Sequence, residues 1–138
     1  MNHMQRLSAR TLTKVAVLAT AGLVAVPAAA APALASGGDA EVRASRTCAT
    51  GVIKVKAKAD DGRIEVEGEV DTNRRGQSWA WTFRRDGNLV ARGTGLTAGP
   101  SGSFSVERRI ANPAGADTIV FRARRTGTDR VCRVAVTF

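Results

Sequence analysis

The stretch IKVKAKADDGRIEVEGEV (Ile53–Val70) alternates apolar and charged residues on both sides of a turn. Alternation with a period of two sends successive side chains to opposite faces of a strand. Asp61-Gly62 is a dipeptide that tolerates positive φ and suits a two-residue hairpin turn. Placing the turn there fixes the register. Asp60 then faces Arg63, Lys58 faces Glu65, Lys56 faces Glu67 and Lys54 faces Glu69. On the other face Ala59 meets Ile64, Ala57 meets Val66, Val55 meets Gly68 and Ile53 meets Val70. A slip of one residue would turn every charge into the core. Each exposed pair contributes about 0.2–1 kcal/mol, so the ladder sets register more than it adds stability. Its charges neutralise one another, and it reads as structural.

The same pattern runs through the rest of the chain after the first 47 residues. Short alternating runs are separated by Gly, Asp, Asn and Pro, which predicts an all-β fold. Seven strands are expected: Cys48–Ala59, Arg63–Asp71, Ser78–Arg85, Asn88–Gly95, Gly102–Ile110, Thr118–Arg125 and Arg130–Phe138. In SWAWTFRRDGNLVARG, residues Trp79, Trp81 and Phe83 share one phase and form the largest apolar face of the chain. Two registers compete beyond Asp86-Gly87. A two-residue turn sets Val90 and Arg92 on the aromatic face. A three-residue turn sets Leu89, Ala91 and Gly93 there, and is the expected one because it keeps Arg92 out of the core. In the last hairpin, matching the apolar phases opposes Ala123 to Cys132, Phe121 to Val134 and Ile119 to Val136. Its other face then sets Arg122 against Arg133, with Arg124 beside them and Arg125 opposite Arg130 near the tip. Like charges directly opposite each other cost stability.

The first 35 residues have a different character. Arg6, Arg10 and Lys14 form a basic start, Val15 to Ala35 carries no charge, and Ala33 and Ala35 occupy the small positions of a cleavage site. This is the pattern of a secretory signal, with cleavage expected after Ala35 and Ala30 as the alternative. An alanine-rich run containing Pro27 favours export over a retained membrane anchor, although it is long enough to span. Residues 36–46 read as a flexible lead-in and residues 47–138 as one small domain. The leader holds three of the 21 basic residues and none of the 12 acidic ones, which lowers the net charge from +9 to +6. It also takes His3 and both methionines. Cys48 and Cys132 bracket the domain, and in a secreted chain they are expected to form one disulfide.

Seven short antiparallel strands in some 92 residues, with tryptophans on the third, resemble an immunoglobulin-like or fibronectin-type sandwich. The resemblance is architectural. It departs from true immunoglobulin domains in its bridge, which would link the first strand to the last, and in the absence of a tyrosine corner. It implies two sheets, with the third, sixth and seventh expected strands in one of them. The arginine-rich composition also looks like that of secreted proteins of high-GC Gram-positive bacteria. The paired disulfides of the enediyne-carrying apoproteins and of the secreted subtilisin inhibitors are absent.

Common catalytic chemistry is hard to assemble from this inventory. The expected mature chain has no His, no Tyr and no spare thiol, so no catalytic residue, metal ligand or cofactor is assigned. GTGLTAGPSGS (Gly93–Ser103) has the glycines of a phosphate loop but neither its lysine nor its helix. What remains is an arginine set. In the implied sheet order Arg84, Arg92, Arg122, Arg124 and Arg133 all point outward from one sheet, with no acid in the same set. Guanidinium groups suit phosphate and carboxylate. The expected function is a secreted, non-enzymatic binding module for an anionic envelope polymer or acidic protein, carrying no specific nucleic-acid motif. The alternatives are a small-ligand carrier with Trp79 and Trp81 lining an inter-sheet pocket, and an inhibitor or effector acting through NPAGAD (Asn112–Asp117).

Overall fold

The Lys/Glu hairpin forms as its alternation requires. A computed structural model describes residues 40–49 and 51–138; the expected signal segment and its cleavage site lie outside the described residues. Strands β2 (Gly51–Asp60) and β3 (Arg63–Asp71) pair antiparallel, with Lys58 opposite Glu65, Lys56 opposite Glu67 and Lys54 opposite Glu69. Asp61 and Gly62 both have positive φ, 45° and 75°, as a type I′ turn demands. The ionic face closes in part. Lys54 reaches Glu69 at 2.9 Å and Lys56 reaches Glu67 at 2.5 Å. Asp60 pairs with Arg109 instead of Arg63. The apolar face, from Ile53 and Val55 to Val66 and Val70, is buried.

Among the described residues eight strands form two four-stranded antiparallel sheets, one more strand than expected. The remaining strands are β1 (Glu41–Cys48), β4 (Ser78–Arg85), β5 (Asn88–Leu96), β6 (Ser103–Ala111), β7 (Thr118–Arg125) and β8 (Val131–Thr137). One sheet runs β1-β2-β3-β6 and the other β5-β4-β7-β8. The third, sixth and seventh expected strands, here β4, β7 and β8, do share a sheet. The extra strand is β1, which begins in the expected lead-in over 36–46, six residues before the expected domain boundary, and runs on to Cys48. Val42 and Ala44 pack against the core from it, and it pairs with β2 along its whole length. Cys48 ends β1 instead of opening the next strand, and Ala49 turns the chain at a positive φ of 54°.

Inner faces of both sheets meet in one apolar core. Trp79, Phe83 and Phe121 are its largest fully buried side chains. Each stabilises the fold by roughly 1.5–3 kcal/mol through apolar burial. Phe83 lies 4.9 Å from Phe121 and 5.8 Å from Trp81, centroid to centroid. Small residues make room for these rings. Trp79, Trp81 and Phe83 on β4 oppose Gly95, Gly93 and Ala91 on β5. Gly68 of β3 lies under the Phe121 ring, where a Cβ would come within 2.5 Å of it.

The β4–β5 hairpin uses both competing registers in succession. Asp86 and Gly87 have positive φ, 48° and 82°, and close a two-residue turn, with Arg85 opposite Asn88 and Arg84 opposite Leu89. The register then shifts between Phe83 and Arg84, leaving Val90 as the extra residue of a bulge, and Phe83 meets Ala91. Ala91 and Gly93 therefore lie on the aromatic face as expected, but Leu89 does not: it is 45% exposed. The bulge satisfies two demands that neither simple turn meets alone, a tight Asp-Gly corner and an outward Arg92.

Cys48 and Cys132 form the expected disulfide, joining β1 to β8 with their Cα atoms 5.6 Å apart.

Candidate anion-binding face

The outer face of the β5-β4-β7-β8 sheet is set by the last two hairpins. Because Ile119, Phe121 and Ala123 of β7 point into the core, Arg122 and Arg124 must point out. The same alternation turns Arg133 out between buried Cys132 and Val134 on β8. Pairing aligns these residues across the sheet. Arg92 faces Thr82, Thr82 faces Arg122, and Arg122 faces Arg133. With strands about 4.8 Å apart, this row of three arginines and one threonine spans about 14 Å. Arg124 sits one outward position along β7, about 6.7 Å away, opposite Ala80 and Val131. All of these arginines are exposed.

Their surroundings sort them. Arg92, Arg122 and Arg133 form no ion pair among the described residues. Arg124 has an acidic neighbour that the sequence reading missed: Asp129, from the β7–β8 turn, lies 3.9 Å away and is fully exposed. Arg84 points outward but donates through Nη1 to the carbonyl of Gly87 at 2.7 Å, bracing its own turn. The structure thus brings four of the five expected arginines together around β4 and β7 and commits the fifth to the hairpin. Arg74 and Arg75, both exposed in the β3–β4 connection, were not singled out in the sequence because they lie between strands, where alternation gives no direction.

The opposite sheet differs in kind. Its outer face holds a groove of about 420 Å³ lined by Arg43, Ser45, Lys54, Lys56, Glu67 and Glu69. Here charge is matched to charge. The Lys56 ammonium, hydrogen-bonded to Glu67, holds that carboxyl below its usual range against the opposing effect of burial; Ser105 donates to the same carboxylate at 3.0 Å. Lys54 is held above its usual range by Glu69. Trp79 and Trp81, the expected lining of a carrier pocket, are 1% and 3% exposed and belong to the packed core. The Arg108 guanidinium covers the Trp81 ring at 4.9 Å from the edge strand β6. Asn112–Asp117 is an exposed loop except for Asp117, which is buried. Among the described residues no group of three or more His, Cys, Asp or Glu side chains is placed to hold a metal ion.

No family model, curated protein or solved structure matches this chain.

Proposed function

We propose that this chain is a secreted, non-enzymatic binding module that holds an extracellular polyanion on the outer face of its β5-β4-β7-β8 sheet. One observation carries the reading: Arg92, Arg122 and Arg133 share a single cross-strand row with no acidic partner among the described residues. Two of them are directly opposite each other, an arrangement that costs stability unless an anion lies between. The groove of the other sheet pairs Lys54 with Glu69 and Lys56 with Glu67, so cross-strand neutralisation is within reach of this sequence, whereas the row of Arg92, Arg122 and Arg133 has none among the described residues. A disulfide spanning the domain supports an oxidising compartment, and with it the secretory reading.

The test is salt-dependent binding. Labelled envelope polyanion is titrated with the folded domain at rising ionic strength, beside an Arg92→Ser/Arg122→Ser/Arg133→Ser variant. The logarithm of the affinity should fall linearly with that of salt, and three lost contacts should flatten the slope by about two. Binding that ignores both salt and the substitutions would remove the proposal.

A further inference from the structure

One end of the sandwich is built with more care than a loop end requires. The β3–β4 connection (72–77), the β5–β6 connection (97–102) and the β7–β8 turn (126–130) meet there. The buried Thr97 hydroxyl donates to the carbonyl of Arg74 at 2.6 Å and accepts the Gln77 N–H at 2.9 Å. Thr72 Oγ1 lies 3.0 Å from the same Arg74 carbonyl and 3.1 Å from that of Gly102. Gly76 N–H donates to the Thr97 carbonyl at 2.7 Å, and Thr126 N–H to the Ser78 carbonyl at 2.9 Å. Gly102 backs directly onto Arg74, where a Cβ would come within 2.3 Å of its nitrogen. Thr72, Gln77 and Thr97 are three of the four buried polar residues among the described residues; the two threonines hold this loop through their hydroxyls and Gln77 through its backbone. The backbone of Arg74 and Arg75 is thereby fixed while both side chains stand in solvent. Fixing a loop before binding removes an ordering cost from the binding step.

The fixed arginines continue the arginine face. Arg122 and Arg124 point outward along β7 towards its end, exposed Arg130 follows in the β7–β8 turn, and Thr126 ties that turn to Ser78 at the start of β4, three residues after Arg75; Arg125 itself is in the inward phase, opposite Trp79. The acids here are Asp71, whose carboxylate accepts the Asn73 N–H, and Asp129, beside Arg124.

We infer that the loop end and the sheet face form one path for a flexible, linear, phosphodiester-linked polyol chain that lies along β7 and bends over onto Arg74 and Arg75. This rests on the polyanion reading above and names its ligand class. A chain leaving the sheet at the strand ends has to bend there, which acyclic phosphodiester linkages allow and a stiff duplex or a ring-based polyuronate resists. No aromatic side chain is exposed on this surface: Trp79, Trp81, Phe83 and Phe121 are buried, and Phe104 and Phe138 are half-buried. The stacking platform on which single-stranded nucleic acid relies is therefore missing.

The experiment is a fluorescence-anisotropy titration of labelled poly(glycerol phosphate), one short and one long chain, with three proteins: wild type, Arg74→Ser/Arg75→Ser and Arg122→Ser/Arg133→Ser. All four positions are exposed, and unchanged thermal midpoints verify folding. The loop variant should weaken the long chain about tenfold, flatten its salt slope by about 1.4, and leave the short chain within a factor of two. The sheet variant should weaken both. Equal effects of the loop variant on both lengths, or none on either, would overturn the continuous path while leaving the sheet reading intact. Insensitivity to both variants would overturn the sheet reading itself. Polygalacturonate or single-stranded homopolymer DNA showing the same length-dependent loss would overturn the polyol class.

Discussion

Arg122 on β7 and Arg133 on β8 are direct cross-strand partners, both exposed on the same side of the sheet, and neither forms an ion pair among the described residues. Two guanidinium groups so placed repel each other, and the protein carries the strain when no anion is bound. Arg133→Glu replaces that repulsion with an attractive pair. The expected result is a gain of about 0.2–1 kcal/mol in urea unfolding at low ionic strength, shrinking as salt screens the pair. The same change should weaken polyanion binding. Stability and binding would then move in opposite directions at one position, the behaviour expected where function requires an unfavourable arrangement. A variant no more stable than wild type at low salt would show that the two groups do not repel.

Gly68 and Phe121 place a second constraint, this time inside the core. The Phe121 ring occupies the space a side chain on Gly68 would need, and both residues are buried between the sheets. Gly68→Ala should therefore destabilise the fold by about 1–3 kcal/mol through overpacking, measured as a fall in the urea midpoint at unchanged slope. The loss should be smaller when combined with Phe121→Leu, because the two changes share one site. Additive losses would mean that the contact is not the cause.

The sequence declares some of these features and hides others. The Lys/Glu ladder and the Arg122/Arg133 pair were legible because strict alternation on both strands, about an identifiable turn, leaves one register that buries the apolar phase. The β4–β5 hairpin was half legible. Its Asp-Gly corner and its aromatic face each imply a register, but the bulge at Val90 that reconciles them has no local signature. Strand β1 was missed because EVRASRTC carries Arg46 in its inward phase, opposite Ile53, and offers only Val42, Ala44 and Cys48 to the core. An inward-phase charge on an edge strand discourages further strand pairing, and it hides the strand from a reading of hydrophobic periodicity. Arg74 and Arg75 were illegible for another reason: the threonines that fix them, Thr72 and Thr97, meet only in the folded chain.

The disulfide ties β1, paired on one side only, to the edge strand of the other sheet across a sequence separation of 84 residues. A Cys48→Ala/Cys132→Ala variant should lose about 2–5 kcal/mol, read as a lower urea midpoint. Hydrogen exchange in that variant should rise first in β1, whose contact with β8 the bridge secures, and less in β2 and β3. Uniform exchange across the first sheet would show that β1 opens only with the whole domain.

Among the described residues Asp117 is the one buried acid, at 2% exposure, and its Oδ2 has no hydrogen-bond partner there. Its Oδ1 lies 3.5 Å from Nε of Arg85, and Asp86, whose own carboxylate accepts the Thr118 N–H at 2.8 Å, stands beside it. Burial pushes the Asp117 carboxyl above its ordinary value of 3.8, and the hydrogen bond and charge of Asp86 push the same way; the Arg85 guanidinium opposes them. The folded protein therefore holds this proton more tightly than the unfolded chain. Its contribution to stability is complete below the unfolded value and is lost as pH rises through the folded one. Asp117→Asn keeps the shape and removes the titration. The difference in unfolding free energy between variant and wild type should shift in favour of the variant as pH rises from below 4 towards neutrality, measured by urea unfolding across that range. A difference that stays constant with pH would mean that Asp117 ionises in the fold as it does in the open chain, with Arg85 offsetting its burial.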